Sequence, residues 1–157
     1  MANADEKLAA LERRLAELED RMAILQLIAS YGPAVDGLDR EGVAALWAED
    51  GSYDFSGTPL QGRDKVADLI DLDTHRAYVS AGSSHILSLP RVTVEGDRAV
   101  AVNYSQVFVK DGASWRADRT SANRWDLART ADGWRVTKRT NRLLDGSPGA
   151  RDLLQRS

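Results

Sequence analysis

Leu8, Leu11, Leu15, Leu18, Met22 and Leu25 recur at alternating spacings of three and four, the a/d rhythm of a helix with a narrow apolar seam. Glu and Arg fill the flanks, and Glu17–Arg21 is a favourable i,i+4 pair. The spacing predicts one long helix over residues 5–31. Its seam suits either packing on its own domain or pairing with a second subunit. From Met22 onward Ile24, Leu27, Ile28 and Tyr31 widen the apolar face, as where a helix enters a core. Gly32-Pro33 predicts an interruption, with the helix resuming to about Asp36. Asp39 is placed to cap a second helix, Glu41 to Ala48, with Val43, Leu46 and Trp47 inward. Residues 52–55 alternate like a short strand, Gly57-Thr58-Pro59 reads as a turn, and Gly62 to Asp71 as a third helix with Val66, Leu69 and Ile70 on one face. Residues 73–83 read as a loop or a fourth helical turn.

The period then changes to two. Segments 84–95, 98–110, 115–129 and 134–144 are rich in Val, Tyr, Trp, Phe and Thr, and Glu95-Gly96-Asp97, Asp111-Gly112 and Ala131-Asp132-Gly133 separate them as hairpin turns. Helices followed by a meander predict an α+β domain: a curved antiparallel sheet packed on about three N-terminal helices, enclosing a pocket. Residues 1–19 read as a helical extension, 20–145 as the domain and 146–157 as a tail.

Composition narrows the function classes. A chain of 157 residues suits one domain. It has no cysteine, which removes disulfides, thiolate nucleophiles and Cys-based metal sites. Net charge is −3 with Lys and Arg dispersed, so nucleic-acid binding is not expected. No segment reads as a signal core or a membrane span, and a cytoplasmic location is the expectation. With two His in the chain, each one matters, because imidazole titrates near neutrality. Asp71, Asp73 and His75 lack a second cluster to complete a metal site, so neither a metal nor a cofactor is assigned. No Gly-rich phosphate loop, Ser-His-Asp set or His-Glu-x-x-His occurs.

Several pieces carry a resemblance in their order and spacing. They are 20–24 (DRMAI), 31–39 (YGPAVDGLD), 46–51 (LWAEDG), 61–64 (QGRD), 84–88 (SHILS), 96–99 (GDRA) and 132–136 (DGWRV). Together they resemble the SnoaL-like branch of the nuclear transport factor 2-like superfamily over about 20–145. Within it the likeness is to Asp/His dehydratases of the scytalone dehydratase and bile-acid 7α-dehydratase type. The resemblance implies a cone whose mouth is closed by helices, and a homo-oligomer, dimer or trimer. It places Asp36 and His85 where those enzymes carry an orienting Asp and an acid–base His, and it matches Tyr31 and Arg142 to a Tyr and an Arg of the bile-acid enzymes. The second His of scytalone dehydratase has no counterpart; Tyr104 and Gln106 occupy that region. Ketosteroid isomerases place their base near Phe55, and Asp54, one residue away on a strand, faces the other side.

The chemistry fits those positions. A neutral imidazole whose one nitrogen donates to a carboxylate keeps the other as a base. His85 backed by Asp36 can therefore take a proton beside a carbonyl and return it to a leaving hydroxyl. Tyr31 is expected to polarise the substrate, and Tyr53, Phe55, Tyr104, Trp125 and Arg142 to contact it. The reading is a lyase for a cyclic hydroxylated carbonyl compound such as a steroid or polyketide. An isomerase or cyclase using the same pair, and a non-catalytic binding module for a small apolar molecule, are the alternatives.

Overall fold

Asn3 opens the first helix, α1 (Ala4–Asp36): its side chain accepts from the Glu6 amide while Glu6 accepts from the Asn3 amide, a reciprocal capping box. The computed structural model describes residues 3–55, 57 and 59–155. α1 buries Ile24, Ile28, Tyr31, Gly32 and Val35. The earlier Leu seam lies about 140° around the helix from that buried stripe at 100° per residue. Leu8, Leu11, Leu15, Leu18 and Met22 are all more than half exposed, so they do not pack on their own domain. Asp20 marks where the helix meets the body. It accepts from Arg129 Nη2 and Nη1 at 2.7 and 2.8 Å and from the Trp134 indole at 3.0 Å.

The expected interruption at Gly32-Pro33 does not occur, and α1 continues to Asp36. Pro33 is exposed, and the amide it lacks would have bonded Ala29, whose carbonyl lies on the exposed side of the helix. Gly32 has a positive role. A Cβ there would fall inside contact distance of the His85 carbonyl oxygen. The glycine is what lets the helix lie directly on the strand that carries His85.

After α1 the chain reverses through Leu38, in the left-handed region at φ 54°, and Asp39 caps α2 (Arg40–Ala45) through the Gly42 amide at 2.9 Å. The second helix is shorter than predicted. Trp47 opens strand β1 (Trp47–Asp54), where it is buried from a strand instead. Then come β2 (Leu60–Gln61), α3 (Arg63–Ala67) continuing as a 3-10 turn to Asp71, and α4 (Asp73–Ala81), which replaces the expected loop. The turn expected at Gly57-Thr58-Pro59 includes Thr58, outside the described residues.

The sheet follows as β3 (Ser83–Leu87), β4 (Arg91–Glu95), β5 (Arg98–Asp111), β6 (Ser114–Thr130) and β7 (Gly133–Leu143), before α5 (Pro148–Leu154). Its order is β2-β1-β7-β6-β5-β3, with β4 also on β5. The predicted strand 84–95 is thus split at Leu89-Pro90, both halves lying along the same edge of β5. The sheet is mixed, because β1 pairs parallel to β7. Helices and the concave face of the sheet bury a single core around Ile28, Tyr31, Trp47, Trp125 and Val136.

Two predictions follow from this packing. Gly32→Ala should destabilise by about 1–3 kcal/mol as an overpacked contact, although helix propensity alone would make it stabilising; denaturant midpoints read the sign. The outward Leu seam has the spacing of a self-pairing helix. Removing residues 1–18 should lower the solution mass measured by light scattering, and an unchanged mass would make the seam a bare surface.

Candidate active site

Asp36 is the last residue of α1 and reaches β3 because Gly32 has brought the two together. One carboxylate oxygen lies 2.7 Å from His85 Nδ1, and the other accepts the His85 backbone amide at 2.7 Å. Ser83 Oγ adds a longer contact of 3.4 Å. Burial pushes the Asp36 carboxyl up, but the hydrogen bonds from the His85 ring, the His85 amide and Ser83 outweigh it and hold the group below the usual carboxylate range. An ionised Asp36 makes Nδ1 the protonated nitrogen. Nε2 is then the free acceptor, with no protein partner among the described residues, on a ring that lines a cavity.

That cavity is half-open and about 260 Å³ in volume. His85, Leu87, Ser105, Val107, Arg119 and Ser121 form one wall from β3, β5 and β6. Tyr31, Tyr53, Phe55, Arg139 and Asn141 form the floor and far side, and Leu69, Leu72, Thr74, His75 and Tyr78 supply the helical rim.

The floor is an aromatic box around a cation. The Arg139 guanidinium carbon sits 4.1 Å from the Tyr31 and Trp125 ring centroids and 4.5 Å from that of Tyr53. Arg139 is 2% exposed. Its Nε and Nη2 both donate to Asn123 Oδ1 at 3.1 and 2.8 Å, and Nη1 is buried without a partner. Asn123 also accepts from Asn141 and donates to Ser105 Oγ, so one amide fixes three cavity groups. Burial, and Tyr53 beside it, push the Tyr31 hydroxyl up, which keeps it a neutral donor.

Of the candidate site residues, Tyr31, Tyr53, Phe55 and His85 line the cavity, with Asp36 behind the His ring. Three predicted contacts are corrected. Trp125 is wholly buried beneath the floor, its indole donating to Asn103. Tyr104 is on the outer face, since Ser105 and Val107 on the same strand point inward. Arg142 also leaves the cavity and pairs with Asp54 at 2.7 Å. Strict alternation from Trp134 and Val136 leads to Arg142, but the register shifts opposite Asp126/Leu127, where Thr137 is the extra residue. Beyond that bulge Arg139 and Asn141 face inward.

A SnoaL-like domain profile matches residues 16–140. The chain belongs to the SnoaL-like family. An NTF2-like protein with a cystatin-like fold from Novosphingobium aromaticivorans is 46% identical over 99% of both chains, with a TM-score of 0.92. Two more distant structures share the fold. A protein of unknown function from Mycobacterium tuberculosis is 23% identical over 85% of this chain and 75% of its own, with a TM-score of 0.71. The hexachlorocyclohexane dehydrochlorinase LinA-type3 from Novosphingobium barchaimii is 18% identical over 83% and 90%, also at 0.71. No curated protein matches the chain.

Within this SnoaL-like site the sequence had hidden His75. It is 7% exposed, its Nε2–H donates to the Val35 carbonyl at 2.8 Å, and its ring lies 5.4 Å from that of His85. Its polar neighbours Asp71, Asp73 and Arg76 masked the inward position. Tyr78, on the same helix, donates to Asp118 at 2.5 Å, tying α4 to β6 at the cavity rim. Asp118 is the extra residue at a second register shift, between the partners of Val107 and Phe108. Among the described residues no three His or carboxylate groups converge as metal ligands. No described helix is long and apolar enough to cross a membrane.

Burial lowers the His75 pKa, against the Val35 hydrogen bond that raises it; nearby His85 and Arg119 lower it further. The unfolded chain takes up a proton below about pH 6.5, while folded His75 resists it. Stability should therefore fall as pH drops from about 6.5 towards the lowered folded value. His75→Gln keeps a donor for Val35 and removes the titration, so its stability should be flatter than wild type across that window in urea titrations.

Proposed function

We propose that the protein is a proton-transfer lyase, of the Asp/His dehydratase kind its sequence resembles, acting on a cyclic hydroxylated carbonyl compound. The observation that carries this reading is the 2.7 Å Asp36–His85 contact, with the second ring nitrogen left to the cavity. His85 Nε2 takes a proton from the carbon beside the carbonyl, and the C–H electron pair moves onto the carbonyl oxygen as an enolate. The enolate then expels the hydroxyl from the β-carbon while Nε2–H protonates it, giving a C=C bond and water and restoring neutral His85. Asp36 stabilises the imidazolium between the two steps. Returning the proton to another carbon instead would give an isomerase or cyclase.

Size supports a ring compound. A cavity of about 150 Å³ takes one benzene, so about 260 Å³ accommodates one or two rings. A larger steroid or polyketide skeleton would extend through the open mouth.

His85→Ala should lower kcat on a responsive hydroxy-ketone by about 10²–10⁴-fold, the usual worth of a positioned acid–base group, with fold retained by circular dichroism. Product mass separates the outcomes: loss of one water identifies the lyase, and unchanged mass an isomerase. Undiminished turnover in His85→Ala would refute the proposal, and wild-type protein that binds hydroxy-ketones without turning any over would leave a binding module.

A further inference from the structure

The exposed Leu seam of α1 carries a charge pattern that its own domain does not use. With Leu8, Leu15 and Met22 at the a positions and Leu11 and Leu18 at d, the residues beside the seam fall on two edges of opposite sign. Lys7, Arg14 and Arg21 lie at g on one edge, and Asp5, Glu12 and Glu19 lie at e on the other. Ala9, Ala16 and Ala23 fill the b positions, so charge is sorted towards the seam where a merely solvated helix would have no reason to sort it. Arg21 donates to the Val92 carbonyl. Among the described residues Lys7, Glu12, Arg14 and Glu19 form no ion pair.

We propose that residues 5–22 of two copies of this chain pair as a parallel, in-register coiled coil, with both domain bodies at the same end. Sign decides the direction. In a parallel pair each g residue faces the e residue of the partner's next heptad. Lys7 then meets the second copy's Glu12 and Arg14 meets its Glu19, and both pairs recur with the copies exchanged. An antiparallel pair sets g against g and e against e, which places cation beside cation and acid beside acid and is disfavoured. The bodies leave room for the parallel form. Asp20, at f on the side away from the seam, is the residue that ties α1 to Arg129 and Trp134. A second helix can therefore lie along the seam without meeting the sheet. The Asn3–Glu6 capping box also secures the exposed end of the helix, so the segment is presented as a helix up to its tip. The pairing is independent of the proton-transfer chemistry and holds whatever the substrate.

Because the chain has no cysteine, a single introduced one reports a single contact in the full-length protein. Leu8→Cys and Met22→Cys stand at opposite ends of the seam, about 21 Å apart along the helix at about 1.5 Å per residue. Both positions are exposed in the single chain, so the substitutions leave the body intact. Parallel register brings each new cysteine beside its own copy, and each variant oxidised alone should give a disulfide-linked dimer. Arg13→Cys, at f on the far side, is the collision control and should crosslink far more slowly. Lys7→Glu with Arg14→Glu, added to Met22→Cys, turns all the g–e contacts acid against acid and should slow crosslinking about tenfold at low ionic strength. Adding Glu12→Lys and Glu19→Lys to that chain restores opposite signs and should restore the rate. Crosslinking that appears only when Leu8→Cys and Met22→Cys are mixed means an antiparallel pair and overturns the proposal. So does wild-type protein that sediments as a monomer at micromolar concentration, or Arg13→Cys crosslinking as fast as Met22→Cys. Charge reversal without effect on the rate overturns it as well.

Discussion

The site depends on how closely α1 can approach β3. Helix–strand packing normally keeps side chains between the two backbones, and here Gly32 removes the side chain so that the helix rests on the His85 carbonyl. Four residues later, one turn further along the same helix face, Asp36 comes into reach of both the His85 amide and its ring. The carboxylate thus closes the start of the strand and orients the imidazole in one stroke. Any shift of the helix that relieved the contact would lengthen both bonds together. Asp20 and Arg21 hold the other end of the packed segment, through Arg129, Trp134 and the Val92 carbonyl, so the helix has little freedom to slide.

A second constraint sits in the sheet. Asn103, Asn123 and Asn141 occupy inward positions on three adjacent strands where apolar residues would ordinarily pack. Their amides satisfy one another's neighbours: the Trp125 indole, Ser105, and two nitrogens of Arg139. A buried polar network is tolerable when its members are paired. This one is complete except at Nη1, which makes that atom the informative exception. The aromatic rings hold the guanidinium from its faces while Asn123 holds one edge, so the cation is placed without being neutralised.

Much of the fold was legible because it is written in periodicity. The change from a three–four rhythm to a period of two separates helices from strands, and Gly96, Gly112 and Gly133 mark the hairpins at positive φ. The pair Asp36–His85 could also be anticipated, since the fold resembled one that brings those positions together. What periodicity could not carry were the irregularities. Trp47 looked helical because its inward neighbours were at helical spacing, yet it starts β1. The bulge at Thr137 changes which face β7 presents, so Arg142 was expected inside and Arg139 was not. His75 was obscured by charged neighbours on an exposed turn. The polar Asn at inward phase in β5 and β6 was the available sign that this stretch of sheet is a site as well as a core.

The two charged groups also explain each other's form. Asp36 is tied to His85 and Arg139 to Asn123, and they do not pair with one another. Had they formed a direct ion pair, each would have cancelled the other's field in the cavity, and proton removal would gain nothing from either. Held apart, Asp36 at the end of α1 and Arg139 on β7, they polarise the space between them. In the proposed proton transfer Asp36 would favour the positive charge arriving on the imidazole, and a buried guanidinium on the same cavity would favour negative charge on the ligand. In a partly closed, low-dielectric cavity such fixed charges act more strongly than they would in water and need no reorganisation as the proton moves. In the proposed reaction the arrangement would assist charge separation in the ligand more than the binding of its neutral form, which is the difference on which catalysis depends.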